Sequence, residues 1–468
     1  MSAVVCVDFG STFTKAALVD LDSGALLATA SHPTTLPDAS GDGDVLDGYD
    51  ACVAALAEQD PSALDAEVLA CSSAGGGLRI AVVGNEELVT AEAGRRVALS
   101  SGGKVVLVLH GGLDEAKLAE LRAAEPDVVL LVGGTDGGNA EVLEGDARFL
   151  TGVRWPGPVV VAGNVDSQPV VAELLDASGT PHVLADNVVP RIGVLAPDGA
   201  RRAIREIFLS HVIGGKHLSS RTDAHGRTFT AMVRGATPDV VLTGVELLAR
   251  GLDDQHRGAG DVVVVDVGGA TTDVHSVVEL DPEDGALARE VVATTPVTRT
   301  VEGDLGMRWS AVSTVEAAGH DDLHAAAVRR RERPDLLPDG CPDPAAEQEA
   351  DLAIAAAAVR IALERHAGRS RVVVSPEGRV VERSGKDLRE VDLLVGSGGV
   401  LRHGGPDAVR RVLAPATGDA FEGGWQLPRA PRVVVDHDYV LAAAGLLAEE
   451  HPVAAHRLLG GLRSAGDR

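Results

Sequence analysis

Two short turns of the same pattern constrain the fold of this chain most strongly. Each begins with an aspartate at the end of an apolar run and continues through glycine and hydroxyl residues: Asp8–Lys15 follows Val4–Val7, and Asp266–Asp273 follows Val262–Val265. Glycine lets the backbone turn and present N–H groups to an anion, and the hydroxyls add donors. Each turn alone is also a common hairpin connection. Two copies, about 258 residues apart, predict two domains that together hold a triphosphate and one metal ion.

A third glycine-rich turn lies late in the chain. Gly396–Val400 follows the apolar run Leu393–Val395. Its glycines would let the backbone lie against a flat base or a ribose. The same residues also suit an ordinary turn from a strand into a helix, so this turn by itself indicates little.

The chain from Val68 to Val183 follows a different pattern, in which apolar runs alternate with helical periodicity. The apolar runs are Ile80–Val83, Val105–Leu109, Val128–Val132 and Val159–Ala162, and the helical segments are Glu87–Leu99, Asp114–Ala124 and Val170–Ser178. Buried strands that alternate with helices of this length are typical of a parallel sheet covered on both faces. We therefore predict a parallel α/β module inserted into the chain.

The loop Gly133–Asn139 follows one of these strands and combines four glycines with Thr135, Asp136 and Asn139. Ligands of open parallel sheets bind beyond the carboxyl ends of the strands. The loop is therefore a candidate for a second ligand site or a partner-docking site. It is equally well explained as a glycine-rich turn capped by Asp136.

The balance of charge excludes several classes of partner. The chain has 42 lysines and arginines against 69 aspartates and glutamates, which gives a net charge of −27. Such a surface repels a phosphate backbone, so nucleic acid is not expected as a partner. No apolar stretch reaches the ~18–20 residues that cross a bilayer, and the sequence opens on a strand rather than a basic and apolar leader. We therefore expect a cytoplasmic protein that does not enter a membrane.

The three turns together resemble a known set of nucleotide-binding loops. Asp8–Lys15 resembles the first phosphate loop of actin, and Asp266–Asp273 resembles the second phosphate loop of actin, the heat-shock chaperones and sugar kinases. Gly396–Val400 looks like their adenosine loop, and the order of the three fits that superfamily. The resemblance implies an α/β protein of the actin-like ATPase fold, in which two related domains of mixed sheets are flanked by helices. It also implies ATP and Mg2+ as cofactors.

Roles for individual residues are carried over from this resemblance. Asp8 is expected to hold Mg2+ through water, and Asp266 is expected either to orient the attacking water or to hold a metal-bound water. Lys15 is expected to pair with β- and γ-phosphate oxygens, its alternative being a solvated lysine at the start of a strand. The residues expected to bind the nucleotide are Gly10, Ser11 and Thr12 in the first loop, Gly268, Gly269, Thr271 and Thr272 in the second, and Gly396, Gly398 and Gly399 in the third.

The expected domain boundaries combine the resemblance with the inserted module. Residues 1–75 are predicted to form the first part of domain I, 76–190 the inserted module and 191–260 the remainder of domain I. Residues 261–430 are predicted to form domain II, with the second phosphate loop and the adenosine loop. Residues 431–468 are predicted to contain a C-terminal helix that returns to domain I.

A narrower resemblance covers nearly the whole chain. Five runs look like the glutamate mutase accessory-protein family: Cys71–Leu78, Gly133–Asn139, Asp186–Pro190, Glu302–Met307 and Ala444–Pro452. The resemblance implies an ATP-dependent reactivating chaperone that releases damaged cobalamin from an adenosylcobalamin-dependent mutase. The partner would be glutamate mutase or a related mutase.

Two other functions are compatible with the same loops. A small-molecule kinase of the superfamily would deliver the phosphoryl group to a substrate hydroxyl or carboxylate. A degenerate scaffold would bind nucleotide without useful turnover, against which the intact Asp8 and Asp266 count.

Overall fold

The chain is divided into two compact units. The structure, a computed structural model, describes residues 2–37, 42–279, 295–335, 338, 341–375, 378–418 and 424–464. The first unit contains the described residues up to Gly244 together with Ala442–Leu458, and the second contains the other described residues. Each unit is built around its own five-stranded mixed sheet, and the first also carries a parallel sheet.

The strands and helices within the described ranges follow in chain order. The strands are β1 Ala3–Phe9, β2 Phe13–Asp20, β3 Leu26–Pro33, β4 Glu67–Ser72, β5 Arg79–Gly84, β6 Lys104–His110, β7 Val128–Leu131, β8 Val159–Val161, β9 His182–Leu184, β10 Val233–Ala236, β11 Val262–Val267, β12 Thr272–Val277, β13 Val297–Glu302, β14 Arg369–Ser375, β15 Gly378–Ser384, β16 Leu393–Ser397 and β17 Arg432–Val435. The helices are α1 Val45–Gln59, α2 Glu92–Ser100, α3 Glu115–Ala123, α4 Glu141–Gly152, α5 Gln168–Ser178, α6 Asp198–Ile207, α7 Ile213–Gly215, α8 Phe229–Met232, α9 Thr237–Arg250, α10 Ala311–Ala318, α11 His324–Glu332, α12 Pro344–His366, α13 Gly399–His403, α14 Gly405–Leu413, α15 Val440–Leu447, α16 Pro452–Leu458 and α17 Gly460–Ser464. Among these residues, no helix is both long and apolar enough to cross a membrane.

The two mixed sheets have the same topology. In the first unit the strand order is β3-β2-β1-β4-β10, and in the second it is β13-β12-β11-β16-β17. In both, the first three strands form an antiparallel meander, and the other two strands run parallel to the first. Strands β1 and β11 lie at the centre and are almost continuously buried, because neighbours cover both faces. This repeated α/β architecture confirms the predicted fold class, with two related mixed sheets flanked by helices.

The inserted module is a parallel sheet of order β6-β5-β7-β8-β9, as predicted. Alternate side chains of its strands belong to two separate apolar clusters, one with Val82 and Leu130 and the other with Val83 and Leu131. Burial on both faces explains why these strands have continuous apolar sequences rather than alternating ones. The predicted helices of the module correspond to α2, α3 and α5, each within a few residues.

Five strands were missed by the sequence analysis: β4, β9, β10, β13 and β17. Three of them are only three or four residues long, which leaves too little periodicity to recognise. Strand β10 also contains Arg234 and Gly235, which are rare in strand interiors. Strands β14 and β15 pair antiparallel, and their connecting residues 376 and 377 lie outside the described ranges.

The module contains one carboxyl group in an unfavourable setting. Asp146 of α4 is 1% exposed, and its Oδ1 accepts a hydrogen bond of 2.6 Å from the backbone N–H of Leu113. Its buried Oδ2 has no hydrogen-bond partner within the described structure. Burial raises the pKa of Asp146 to about 6. The folded chain therefore binds the proton of the Asp146 carboxyl more tightly than the unfolded chain does.

Replacing Asp146 by Asn should stabilise the module above pH 7. Since the folded-state pKa lies above the ordinary value of 3.8, the stability that this group contributes is complete below pH ~3.8 and lost as the pH rises through about 6. We expect Asp146→Asn to raise the free energy of unfolding by roughly 1–2 kcal/mol at pH 8, and by less at pH ~5.5. Urea unfolding across this range measures it. The exposed Asp176→Asn is the control, and parallel pH profiles for Asp146→Asn and wild type would contradict the account.

Candidate functional site

In the first unit, three side chains from three different elements surround Asp8. The register of the sheet places Asp8 opposite Lys15 of β2 and opposite Cys71 of β4. Lys15 Nζ lies 3.8 Å from Asp8 Oδ2, and Cys71 Sγ lies 3.6 Å from Oδ1. Thr237 Oγ1 donates the shortest hydrogen bond, 2.6 Å, to the same Oδ1. Asp8 is thus held in one position at the carboxyl end of the central strand.

Cys71 acts in this arrangement as a donor. Burial, and after it the charge of Asp8, raises the pKa of the Cys71 thiol well above its ordinary value. The thiol therefore stays protonated and can share its hydrogen with the carboxylate. Lys15, whose side chain is partly exposed, faces Asp8 rather than bulk solvent alone. Its predicted contact with phosphate oxygens stays a prediction.

The turn after β1 has the shape of a loop whose hydroxyls face outward. The backbone N–H of Gly10 donates to Phe13 O at 3.2 Å, and a Cβ at Gly10 would lie 2.5 Å from that oxygen. Thr34 fixes the turn from β3, because its Oγ1 donates to Gly10 O and its N–H donates to Thr12 O. Ser11 and Thr12 are exposed at the tip, where their donors are available to an anion.

Thr237 is the residue of this site that the sequence analysis missed. Helix α9 begins at Thr237, directly after β10. A threonine followed by Pro238 is a recognisable helix start, so the signal was present in the sequence. The sequence could not show that Thr237 contacts Asp8, because 229 positions separate the two residues.

We expect Thr237→Val to lower ATP turnover by about tenfold while changing stability little. Valine has the same shape but lacks the hydroxyl donor, so Asp8 loses its shortest hydrogen bond and its fixed orientation. Thr237→Ser, which keeps the donor, should stay within about threefold of wild type. Steady-state ATP hydrolysis at several Mg2+ concentrations measures both. Equal turnover of the valine and serine variants would show that the hydrogen bond is dispensable.

In the second unit, Asp266 occupies the equivalent place at the end of β11. Its register partners are Asp273 on β12 and Ser397 on β16. Asp273 is neutralised by Arg299, whose Nη2 lies 2.6 Å from its Oδ1 and whose side chain is 5% exposed. Thr271 Oγ1 donates to the other oxygen of Asp273 at 3.3 Å. Both carboxylate oxygens of Asp273 therefore have partners, and these contacts stabilise the turn.

The second glycine turn packs against the segment that follows β13. Met307 N and Arg308 N donate to the carbonyl oxygens of Gly268 and Gly269, and Ser310 Oγ donates to Ala270 O. A Cβ at Gly269 would lie 2.6 Å from the ring of Trp309. Because these three carbonyl oxygens all accept hydrogen bonds from the segment after β13, the backbone of the turn is fixed.

The two threonines of this turn have different surroundings. Thr271 is partly exposed, whereas Thr272 is fully buried and its Oγ1 donates to Leu305 O at 3.0 Å. The hydroxyl of Thr272 therefore stabilises the turn from inside. Roles toward phosphate for Thr271, Thr272, Gly268 and Gly269 stay predictions.

The third turn lies next to the second, because β16 pairs with β11 in parallel. Gly396 is packed inside, where a Cβ would lie 2.8 Å from Leu401 Cδ1. Gly398 has a φ of +103°, and a Cβ there would clash with Val267 O and lie 3.2 Å from Asp266 Oδ1. Gly399 has no neighbouring atom within 4 Å of a built Cβ. Gly398 is thus the glycine that lets this turn approach Asp266.

Gly398→Ala should lower ATP turnover by about tenfold or more. The added methyl group would clash with the end of β11 and displace Asp266, and the left-handed backbone adds strain. Gly303→Ala is the control, since it adds the same group in open space at a glycine outside the three glycine-rich turns. ATP hydrolysis and thermal unfolding of both variants provide the measurement. The account fails if the two variants hydrolyse ATP equally fast.

The residues present suit a nucleotide with its magnesium ion. Among the described residues, no group of three or more His, Cys, Asp or Glu side chains could hold a metal by itself. Mg2+ is usually bound through one or two carboxylates, several waters and phosphate oxygens, which is what a single aspartate at each loop can supply.

The comparisons with known proteins identify the family. The sequence model of the family described as "MutL protein" matches residues 4–461. A curated relative, "Protein MutL" of Clostridium tetanomorphum, is 35% identical over 474 residues, which is 98% of each chain. The chain belongs to the MutL family. The link to glutamate mutase that the sequence motifs indicate stays a prediction.

Solved structures with a similar fold are more distant from this MutL family member. The activator of 2-hydroxyisocaproyl-CoA dehydratase from Clostridium difficile, with bound ADPNP, is 10% identical with a TM-score of 0.31 and covers 97% of this chain and 95% of its own. The gluconate kinase of Lactobacillus acidophilus is 13% identical with a TM-score of 0.34 and covers 98% and 92%. TM-scores this low do not support a fold assignment. The fold assignment rests on the repeated strand order instead.

Proposed function

We propose that this MutL family protein is an ATP-dependent reactivating chaperone of an adenosylcobalamin-dependent mutase of the glutamate mutase type. The observation that supports it best is the repeated sheet, which ends its central strand in Asp8 in one unit and in Asp266 in the other. Each aspartate precedes a fixed glycine turn with exposed donors. Membership of the MutL family supports the choice of an accessory role over a kinase.

In this proposal both phosphate loops act on one ATP. Gly10 shapes the first loop, the backbone N–H groups and hydroxyls of Ser11 and Thr12 bind phosphate oxygens, and Lys15 neutralises part of their charge. Asp8, oriented by Thr237, holds water bound to Mg2+. When bound, Mg2+ would withdraw negative charge from the phosphate oxygens.

The second unit contributes the group that acts on water. Asp266 accepts a hydrogen bond from the attacking water and orients it toward the γ-phosphate, while Gly268, Gly269 and Thr271 bind the phosphates. Gly396, Gly398 and Gly399 accept the adenosine, and Gly398 brings this turn close to Asp266. Hydrolysis changes the contacts that each unit makes with the nucleotide, and this change drives the release of damaged cobalamin from the mutase.

The test combines the ATPase and its client. ATP hydrolysis is measured with Mg2+ for wild type, Asp266→Ala and the exposed control Asp322→Ala, without and with glutamate mutase that has been inactivated by its own turnover. We expect Asp266→Ala to lower kcat about 100-fold or more, because positioning and electrostatics supply most of this catalysis. Wild type and the control should restore mutase activity, and Asp266→Ala should not.

Three outcomes would contradict the proposal. Hydrolysis that depends on Asp266 but never restores the mutase would remove the chaperone role, and ADP formation that requires a sugar or a small acid would favour a kinase. Failure of wild type to bind ATP would remove the nucleotide site itself.

A further inference from the structure

The inserted module has a strand order with a known consequence for binding. Numbered within the module, its order is 2-1-3-4-5, and all its strands are parallel. In doubly wound sheets of this order, ligands bind beyond the carboxyl ends of the strands. Five loops form that end here, residues 85–91, 110–114, 133–140, 163–167 and 185–194, which we call the module edge.

Hydrogen bonds join these loops in two groups. Asn187 Nδ2 donates to Gly134 O at 3.0 Å and to Asp136 Oδ1 at 2.8 Å. Asp136 Oδ1 also accepts from Val165 N at 3.3 Å, so three loops meet at this carboxylate. On the other side of the edge, Gly111 N donates to Asn85 O at 2.8 Å.

These contacts show what Asp136 does in the loop Gly133–Asn139. Asp136 does not cap the helix that follows, because the N–H of Glu141 is accepted by Asn139 Oδ1 instead. Asp136 links the loop to its neighbours. The loop is therefore built as part of a shared surface rather than as a simple capped turn.

The module edge exposes apolar side chains that the fold does not require. Leu88 is 70% exposed and Ile192 is 78% exposed, and Val165 and Val194 are also exposed. Six of the twelve large hydrophobic side chains exposed among the described residues lie in this module or directly after its last strand. Single exposed apolar residues are normal, but a group of them on one surface marks an interaction site.

The charges of the module edge are mostly negative. Its loops contain one arginine, Arg191, and six carboxylates, all exposed: Glu86, Glu87, Asp114, Asp136, Asp166 and Asp186. Two cations of neighbouring helices also reach these loops, since Lys117 Nζ donates to His110 O and Gly112 O and Arg202 Nη2 lies 3.6 Å from Asp186 Oδ2. Nucleic acid and anionic membranes would be repelled. A second copy of this chain would bring like charges together. The partner that fits is a protein surface with basic and apolar side chains.

We propose that the module edge is the surface through which this chain docks on its client mutase, and that the mutase presents basic and apolar side chains to it. This inference rests on the proposed function and adds the place of contact and the chemistry of the partner surface. The exposed apolar residues supply binding free energy, and the carboxylates supply orientation and a salt-dependent association rate. The phosphate loops are not part of this surface.

Two pairs of substitutions and two controls test the docking surface. Leu88→Ser with Ile192→Ser removes the apolar contacts, and Glu87→Lys with Asp166→Lys reverses charge at the edge. Leu64→Ser is an exposed apolar control outside the module. Glu120→Lys with Asp176→Lys reverses charge near the carboxyl ends of α3 and α5, away from the edge.

Binding of the full-length chain to turnover-inactivated glutamate mutase is measured with Mg2+ and ATP at about 50 and about 300 mM salt. We expect each edge variant to raise Kd about tenfold or more, and the charge-reversed variant to lose most of the salt dependence. The controls should stay within about twofold of wild type. Unchanged circular dichroism and basal ATP hydrolysis show that the edge variants are folded.

The alternatives give different results. Edge variants that bind as tightly as wild type, or controls that weaken binding equally, overturn the docking surface and leave the proposed function intact. Dimerisation of wild type that the edge substitutions abolish would assign the edge to self-association and overturn the proposal. If wild type does not bind the mutase, the proposed function fails and this client surface fails with it.

Discussion

Burial of the central strand on both faces is the constraint on which each half of this structure depends. Strands β1 and β11 are flanked by neighbours and covered by helices, so their valines cannot shift without opening the core. Because such a strand cannot move, an aspartate at its end is held in a fixed position. Asp8 and Asp266 are therefore positioned by the most buried parts of their sheets, which is what a catalytic carboxylate needs.

The two aspartates differ in how their neighbours balance charge. The residue opposite Asp8 on the next strand is Lys15, so a cation lies beside the carboxylate. The residue opposite Asp266 is Asp273, and the buried Arg299 neutralises it from β13. The same strand order thus places a lysine beside Asp8 in one unit. In the other unit it places the ion pair of Asp273 and Arg299 beside Asp266. This asymmetry suits two different tasks at one nucleotide.

The sequence was sufficient for the fold class and for the loops, because both depend on local patterns. Apolar runs that end in Asp and Gly can be recognised without any neighbour. Thr237 and Arg299 could not be found in this way, since each acts on an aspartate that is distant in sequence or lies on another strand. The module edge was indicated only by its glycines, and its apolar and acidic character emerged once the strand order brought five loops together.

The central claim is that both aspartates act on the same nucleotide, and a double-mutant cycle tests it most directly. ATP hydrolysis is measured for Asp8→Asn, Asp266→Asn and the double variant, with kcat/KM converted to free energies of activation. Groups that serve one reaction lose catalysis together, so the double variant should be no slower than the slower single variant. Losses that simply multiply would show that the two loops work independently, which would contradict the account.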